Sequence, residues 1–139
     1  RRSRPGAERR RQQRTILVAD DSVTTRTLEQ SILEAHGYRV LLATDGAQAL
    51  ATLREGMGMP ERRVDLVVSD VEMPRMTGFE LLAAIKEDAR LAAIPVILVT
   101  SREAYEDRER GLSLGADAYI VKRKFDQSEL LQAIEQLIV

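Results

Sequence analysis

Five polar residues stand where apolar runs stop. Ile16-Leu17-Val18-Ala19 ends in Asp20-Asp21, Asp65–Ser69 in Asp70, the run from Pro95 in Thr100, and Ala118–Val121 in Lys122. Three carboxylates brought into one cleft repel each other unless a cation lies among them. Oxygen-only ligands select a hard ion, and Mg²⁺ keeps waters while taking one or two carboxylates beside phosphate oxygens. One carboxylate can then act as a nucleophile and form an aspartyl phosphate. A hydroxyl such as Thr100 and an ammonium such as Lys122 would hydrogen-bond and neutralise the phosphoryl oxygens. The residue types point to phosphoryl chemistry assisted by Mg²⁺.

The elements that must position these residues are legible as alternating patterns. Ile16–Ala19, Arg39–Ala43, Asp65–Ser69, Pro95–Thr100 and Ala118–Val121 are short runs rich in Val, Ile and Leu. Such runs read as strands covered on both faces, hence a parallel sheet. Between them, residues 22–36 place Leu28, Ile32 and Ala35 on one helical stripe and stop at Gly37. Asp45-x-x-Gln48 opens a second helix in the manner of a capping box, with Ala49, Leu50 and Leu53 inside. Leu81, Leu82 and Ile85 supply a third. The fourth stretch, 102–112, is nearly all charge and its apolar face is thin. A fifth helix starts at Asp126-x-x-Glu129 and is expected to bury Leu130, Ile134, Leu137 and Ile138. Glu55–Arg63 reads as a loop on the side away from the strand carboxyl ends. Five β-α repeats predict an α/β fold, a doubly wound five-stranded parallel sheet with five helices. In such sheets ligands bind at the carboxyl ends of the strands, near a reversal in strand order.

A chain of 139 residues suffices for one ordinary domain. No apolar run approaches the roughly 20 residues of a membrane span, and no signal-peptide pattern opens the chain. With no cysteine, disulfides, thiolate catalysis and Cys-based zinc sites are excluded, and a reducing, cytoplasmic setting fits. The formal net charge of −1 hides an asymmetry, because residues 1–14 carry seven arginines against Glu8 alone. A basic, apolar-poor segment buries too little surface to order itself, so 1–14 is expected to be a flexible linker and 15–139 the folded domain. No aromatic residue interleaves those arginines, and nucleic-acid binding is not expected. The sequence does not open with Met, which fits a piece of something longer.

The segments ADDS (19–22), SDVEMPRMTG (69–78), VTS (99–101) and GADAYIVK (115–122) together resemble the response-regulator receiver family, the CheY-like domains. The resemblance covers about residues 15–139, and the ordered combination is far more specific than any one piece. It implies a phosphoacceptor switch that takes a phosphoryl group from a histidine kinase onto Asp70, with self-catalysed transfer and dephosphorylation. It further implies that Asp21 ligates Mg²⁺ directly and Asp20 largely through water, with the Glu72 backbone carbonyl completing the site. Thr100 would contact the phosphoryl group and Lys122 pair with it. Tyr119 falls where the family has its switch aromatic, and output would pass through the face formed by the fourth helix, fifth strand and fifth helix. Glu72 and Arg102, each two residues after a site residue, should tune the phosphate lifetime. One departure is plain: most receivers have proline after the lysine, and here Arg123 follows. A cis bond to a non-proline residue costs roughly 2.5–4 kcal/mol, so a trans 122–123 bond is expected, and the reach of Lys122 is open. DSVTTRTLEQSILEAHGY and VKRKFDQSELL resemble receivers at the C-terminus of chemotaxis-type hybrid histidine kinases, so the phosphodonor could lie in the same chain and the domain could serve as a phosphate sink or feedback element.

Plainer readings compete for each residue. Asp20 and Asp21 could be helix N-caps, Asp70 a turn residue before Pro74, Thr100 a cap, and Lys122 a solvated lysine. Tyr119 could simply pack half-buried. His36, ahead of Gly37, suits a helix C-terminus rather than phosphodonation. Two other functions share some of the chemistry. A phosphohydrolase of the haloacid-dehalogenase type would carry Asp-x-Asp at the first strand, where this chain has adjacent acids. A phosphorylation-silent scaffold would have little use for the whole polar set.

Overall fold

The computed structural model describes residues 13–101, 105–122 and 127–138. Among them the elements run β1 (Thr15–Ala19), α1 (Val23–Ala35), β2 (Arg39–Ala43), α2 (Gly46–Gly56), a 3₁₀ turn (Pro60–Arg62), β3 (Leu66–Ser69), α3 (Gly78–Glu87), β4 (Val96–Thr100), α4 (Tyr105–Ser113), β5 (Ala118–Val121) and α5 (Gln127–Leu137). All strand pairs are parallel and the order is β2-β1-β3-β4-β5. This is the expected doubly wound α/β sheet. The order reverses between β1 and β3, which places that gap over the strand ends carrying Asp20 and Asp70.

Strand alternation divides the core between the two sheet faces. Ile16, Val18, Leu66, Val68, Ile97, Val99 and Ile120 pack with Leu33, Leu130 and Ile134 of α1 and α5. Leu17, Ala19, Val67, Val96, Leu98 and Tyr119 pack with α2 and α3 residues such as Leu53, Leu82 and Ile85. The central strands β1, β3 and β4 are buried throughout, whereas the edge strand β2 is partly exposed. Its apolar run belongs to an edge rather than to a strand covered on both faces.

The first helix corrects the predicted stripe. The face of α1 turned to the sheet carries Glu29 and Leu33, while Leu28 is 51% exposed and Ala35 lies on the surface. The rotation follows from the inward row through Thr25, Glu29 and Leu33, spaced four apart. The helix therefore hides a carboxyl group and shows a leucine to solvent. At α2 the Asp45 carboxylate accepts from the Gln48 amide at 2.8 Å, as expected for a cap. The reciprocal bond differs from a capping box, because the Gln48 side chain accepts from Thr44 N at 2.6 Å. The complete box is at α3, where Thr77 and Glu80 exchange both bonds.

The α4 helix has only Gly111 buried, in keeping with its charged sequence. A Cβ at Gly111 would stand 3.0 Å from Leu98 Cδ1 and 3.2 Å from Tyr119 Cδ2, so glycine lets this helix approach the sheet. Arg110 adds a cation–π contact with Phe79, 4.5 Å from the ring centre. Of the expected basic linker, residues 1–12 lie outside the described residues, and the Arg14 carbonyl accepts from Arg39 N at 2.9 Å. The start of the fifth helix at Asp126, the 122–123 bond and Arg102 also lie outside them. Leu130 and Ile134 are buried as expected, with Leu137 and Ile138 partly so.

Candidate functional site

Register brings the site together. Ala19 pairs with both Ala43 and Ser69, so Asp20 and Asp70, one residue on, leave the sheet side by side. Backbone bonds fix the exits: Asp20 N donates to Ala43 O at 3.1 Å and Asp70 N to Ala19 O at 2.8 Å. Thr100 and Val121 are paired across β4 and β5, which sets Lys122 beyond the same edge. Thr100 is fully buried, and it keeps a partner.

Asp20, Asp21 and Asp70 each offer a carboxylate oxygen within 4.8 Å of the others'. Asp20 and Asp70 are 1% and 7% exposed, while Asp21 is on the surface. Three oxygen donors in that space fit a hard divalent cation such as Mg²⁺ better than a softer ion that prefers sulfur or imidazole ligands. Lys122 Nζ lies 2.8 Å from Asp20 Oδ2 and 3.3 Å from Asp70 Oδ2, bridging two of the three acids. The lysine reaches the cleft with arginine in place of the customary proline after it.

The charges are mutually adjusted. Burial, with Asp20 beside it, raises the Asp70 carboxyl above the usual range, while Lys122 and the Val71 amide pull the other way. Burial alone would lower Lys122, but its bonds and attraction to Asp20 and Asp70 outweigh that and hold the ammonium above its ordinary value. Asp70 Oδ1 accepts from Val71 N at 2.8 Å, and Oδ2 is the oxygen facing Lys122.

Capping does not account for the acids. The N-cap of α1 is Ser22, whose hydroxyl accepts from Thr25 N at 3.3 Å. Asp20 Oδ1 instead accepts from Ser22 N at 2.9 Å, and the Asp20 carbonyl accepts from Arg26 Nη1 at 2.7 Å. Ser22 was within reach of sequence reasoning as a preferred cap; the Arg26 bond, to a residue before the helix, was not. His36 is the C-cap residue of α1, with Nδ1 3.0 Å from the Ile32 carbonyl.

The loop after Asp70 is braced from two sides. Arg75, at φ 65°, bonds the buried Asp45 carboxylate through Nε at 2.8 Å and Nη2 at 2.7 Å. Gly46 N donates to Met76 O at 3.1 Å, and Gly78 N to Val71 O at 2.8 Å. A Cβ at Gly78 would collide with the Asp70 carbonyl, so this return requires glycine. The brace fixes the backbone around Glu72, whose side chain is exposed.

Tyr119 is 5% exposed, its ring within the α2/α3-side core and its carbonyl accepting from Arg108 Nη1 at 3.3 Å. The residue missed altogether is Glu29, 2% exposed on α1. Burial, then Asp20, push its carboxyl up to about 8, with Lys122 lowering it and Asp70 raising it. Apolar periodicity hid it, since the pattern favoured Leu28 as the inward residue.

Residues 16–135 match the family described as the response regulator receiver domain. The chain is 38% identical over 133 residues to a gliding motility regulatory protein of Myxococcus xanthus, covering 96% of this chain and only 16% of that protein. It is 34% identical over 123 residues to protein PilH of Pseudomonas aeruginosa, covering 88% of this chain and 96% of that one. Among solved structures, the CheX-CheY-BeF3-Mg+2 complex from Borrelia burgdorferi aligns with a TM-score of 0.79 at 28% identity, over 91% of this chain and 90% of that one.

Proposed function

The chain belongs to the response regulator receiver family, phosphoacceptor signalling switches of two-component systems, and from that premise we propose that Asp70 is the residue phosphorylated. The observation that supports it most is the meeting of Asp20, Asp21 and Asp70 within 4.8 Å, with Lys122 reaching two of them.

The reaction asks little covalent chemistry of the protein. An oxygen of Asp70 attacks the phosphorus of a phosphohistidine; the O–P bond forms as the N–P bond breaks, and the imidazole leaves with the electron pair and takes a proton. Asp20 and Asp21, with Asp70 and the Glu72 carbonyl, would hold Mg²⁺. The ion supplies positive charge where the phosphoryl oxygens and the carboxylates would otherwise repel. Lys122 follows the growing negative charge off Asp70 and pairs with the phosphoryl group. Thr100 donates its hydroxyl from the end of β4. Dephosphorylation is the same displacement with water as nucleophile.

Signalling requires that the phosphoryl group favour one conformation by a few kcal/mol. Movement of Thr100 would be felt at Tyr119, and through Gly111 at α4, the most lightly anchored of the described helices. The output face is then α4-β5-α5. The phosphodonor is a histidine kinase; placement on the same chain draws support from histidine kinase P4 of Formosa agariphila, to which this chain is 36% identical over 124 residues, 8% of that protein. No helix among the described residues is long and apolar enough to cross a membrane.

Incubation with acetyl phosphate and Mg²⁺ should add one acid-labile phosphoryl group to the intact mass, and Asp70→Asn should abolish it. Phosphorylation persisting in that variant would move the acceptor elsewhere. No adduct in the wild-type protein, and no shift with beryllofluoride, would favour a silent scaffold. Turnover of an external phosphate ester would favour the hydrolase.

A further inference from the structure

Glu29 lies with Leu33 on the buried face of α1, which should have been apolar. It lines a cavity of about 110 Å³ together with Thr25, Leu28 and Lys122. The charged groups that act on it come from three strand ends: Asp20 after β1, Asp70 after β3 and Lys122 after β5. A 2%-exposed glutamate bordering the same cavity as Lys122, with leucine next to it left 51% exposed, is not what packing alone would select.

Lys122 poses the problem that Glu29 can solve. In the structure its ammonium sits 2.8 Å from Asp20 Oδ2, on one of the three carboxylates that together could bind a cation. The ammonium cannot keep that place when Asp20 turns to a divalent ion, since two positive charges would then share one oxygen. The other anion within its reach, Asp70 Oδ2 at 3.3 Å, belongs to the same cation-binding set and would be taken up by the ion as well. The cavity its own side chain borders leads to Glu29.

We propose that Glu29 is a positioning residue for Lys122, the second seat for its ammonium when Asp20 is given over to a cation. Lys122 then waits beside the cleft, ready to return to the phosphoryl group once Asp70 carries one. Glu29 gives up its proton as the ammonium arrives: the O–H bond breaks, the proton goes to solvent, and the carboxylate left behind pairs with Lys122. In the cation-free protein the same carboxyl, held up to about 8, is mostly protonated at neutral pH. The inference rests on the proposed Mg²⁺ site.

The test is calorimetric titration of Mg²⁺ into the whole chain at pH 7 in buffers of different ionisation enthalpy, for wild type, Glu29→Gln and Glu29→Leu, with the Lys122 ammonium followed by ¹⁵N NMR. Wild type should release close to one proton more per Mg²⁺ than Glu29→Gln, and the Lys122 signal should shift on Mg²⁺ binding in wild type but much less in the variant. Mg²⁺ affinity in Glu29→Gln should fall about tenfold, the order expected when a hydrogen bond to a charged group is lost. Equal proton release and equal Lys122 shifts in wild type and Glu29→Gln would overturn the second seat. Wild type failing to bind Mg²⁺ would overturn the metal site itself, a separate result. Glu29→Leu, should it fold, must behave as Glu29→Gln does; wild-type proton release in it would also sink the idea.

Discussion

At the scale of single residues, Glu29 makes the stability of the cation-free protein depend on pH. Its carboxyl titrates near 4.5 when exposed and near 8 in the folded chain. Between those values the unfolded chain has lost a proton that the folded one keeps, so the folded state loses ground as pH rises. Below about 4.5 the penalty vanishes, and above about 8 it is complete. Glu29→Gln has no proton to hold back. Urea unfolding in EDTA should show the variant gaining on wild type steadily from pH 5 to pH 8; parallel curves would mean that Glu29 ionises normally. Asp70 is raised as well, but it is present in both proteins and cancels in the difference. Of the site residues, those that end apolar runs were legible because their chemistry interrupts a pattern. Glu29 was not, because it sits within a helix whose alternative register looked more apolar.

Among elements, the loop between β3 and α3 depends on a neighbour distant in sequence. The Arg75 guanidinium holds Asp45 at the start of α2, and Gly46 N bonds Met76 O, so two loops share one geometry. The guanidinium, with the Gln48 amide bond to the same carboxylate as the larger influence, keeps Asp45 below the usual carboxylate range. Removing it in Arg75→Ala should loosen the clamp without touching the core. Hydrogen exchange at the Gly46 amide should accelerate by about tenfold or more, on the order of one lost charged hydrogen bond, while amides of β1 and β3 keep their protection. Unchanged exchange at Gly46 would show that the backbone holds the loop unaided. Helices α2, α3 and α5 were readable from their apolar spacing, and α4 from the lack of it. The orientation of α1 was not, since Leu28, Ile32 and Ala35 form a stripe in sequence that competes with Thr25, Glu29 and Leu33. The sheet chooses between them by which side chains fit over β1 and under α5.

For the molecule as a whole, two cores separated by one sheet keep the strand ends in line. Leu82 is fully buried in the α2/α3-side core. Leu82→Ala should cost about 2–5 kcal/mol in urea unfolding, from lost burial and the cavity left behind; a loss below 1 kcal/mol would mean that this side repacks. The phosphoryl-transfer residues should then still assemble in the fraction that remains folded, because none of them is anchored by Leu82. What the linear order of residues determined is the alternation of strand and helix, and with it the sheet and the five polar residues at its carboxyl edge; apolar periodicity and the chemistry that breaks it are local properties of a chain. What only the tertiary structure decided is which oxygens and nitrogens meet: Lys122 on Asp20 and Asp70, Arg75 on Asp45, Glu29 and Lys122 at one cavity. Those meetings depend on strand register and helix rotation, which are set by packing between segments as far apart in sequence as Asp20 and Lys122, and no local pattern carries that information.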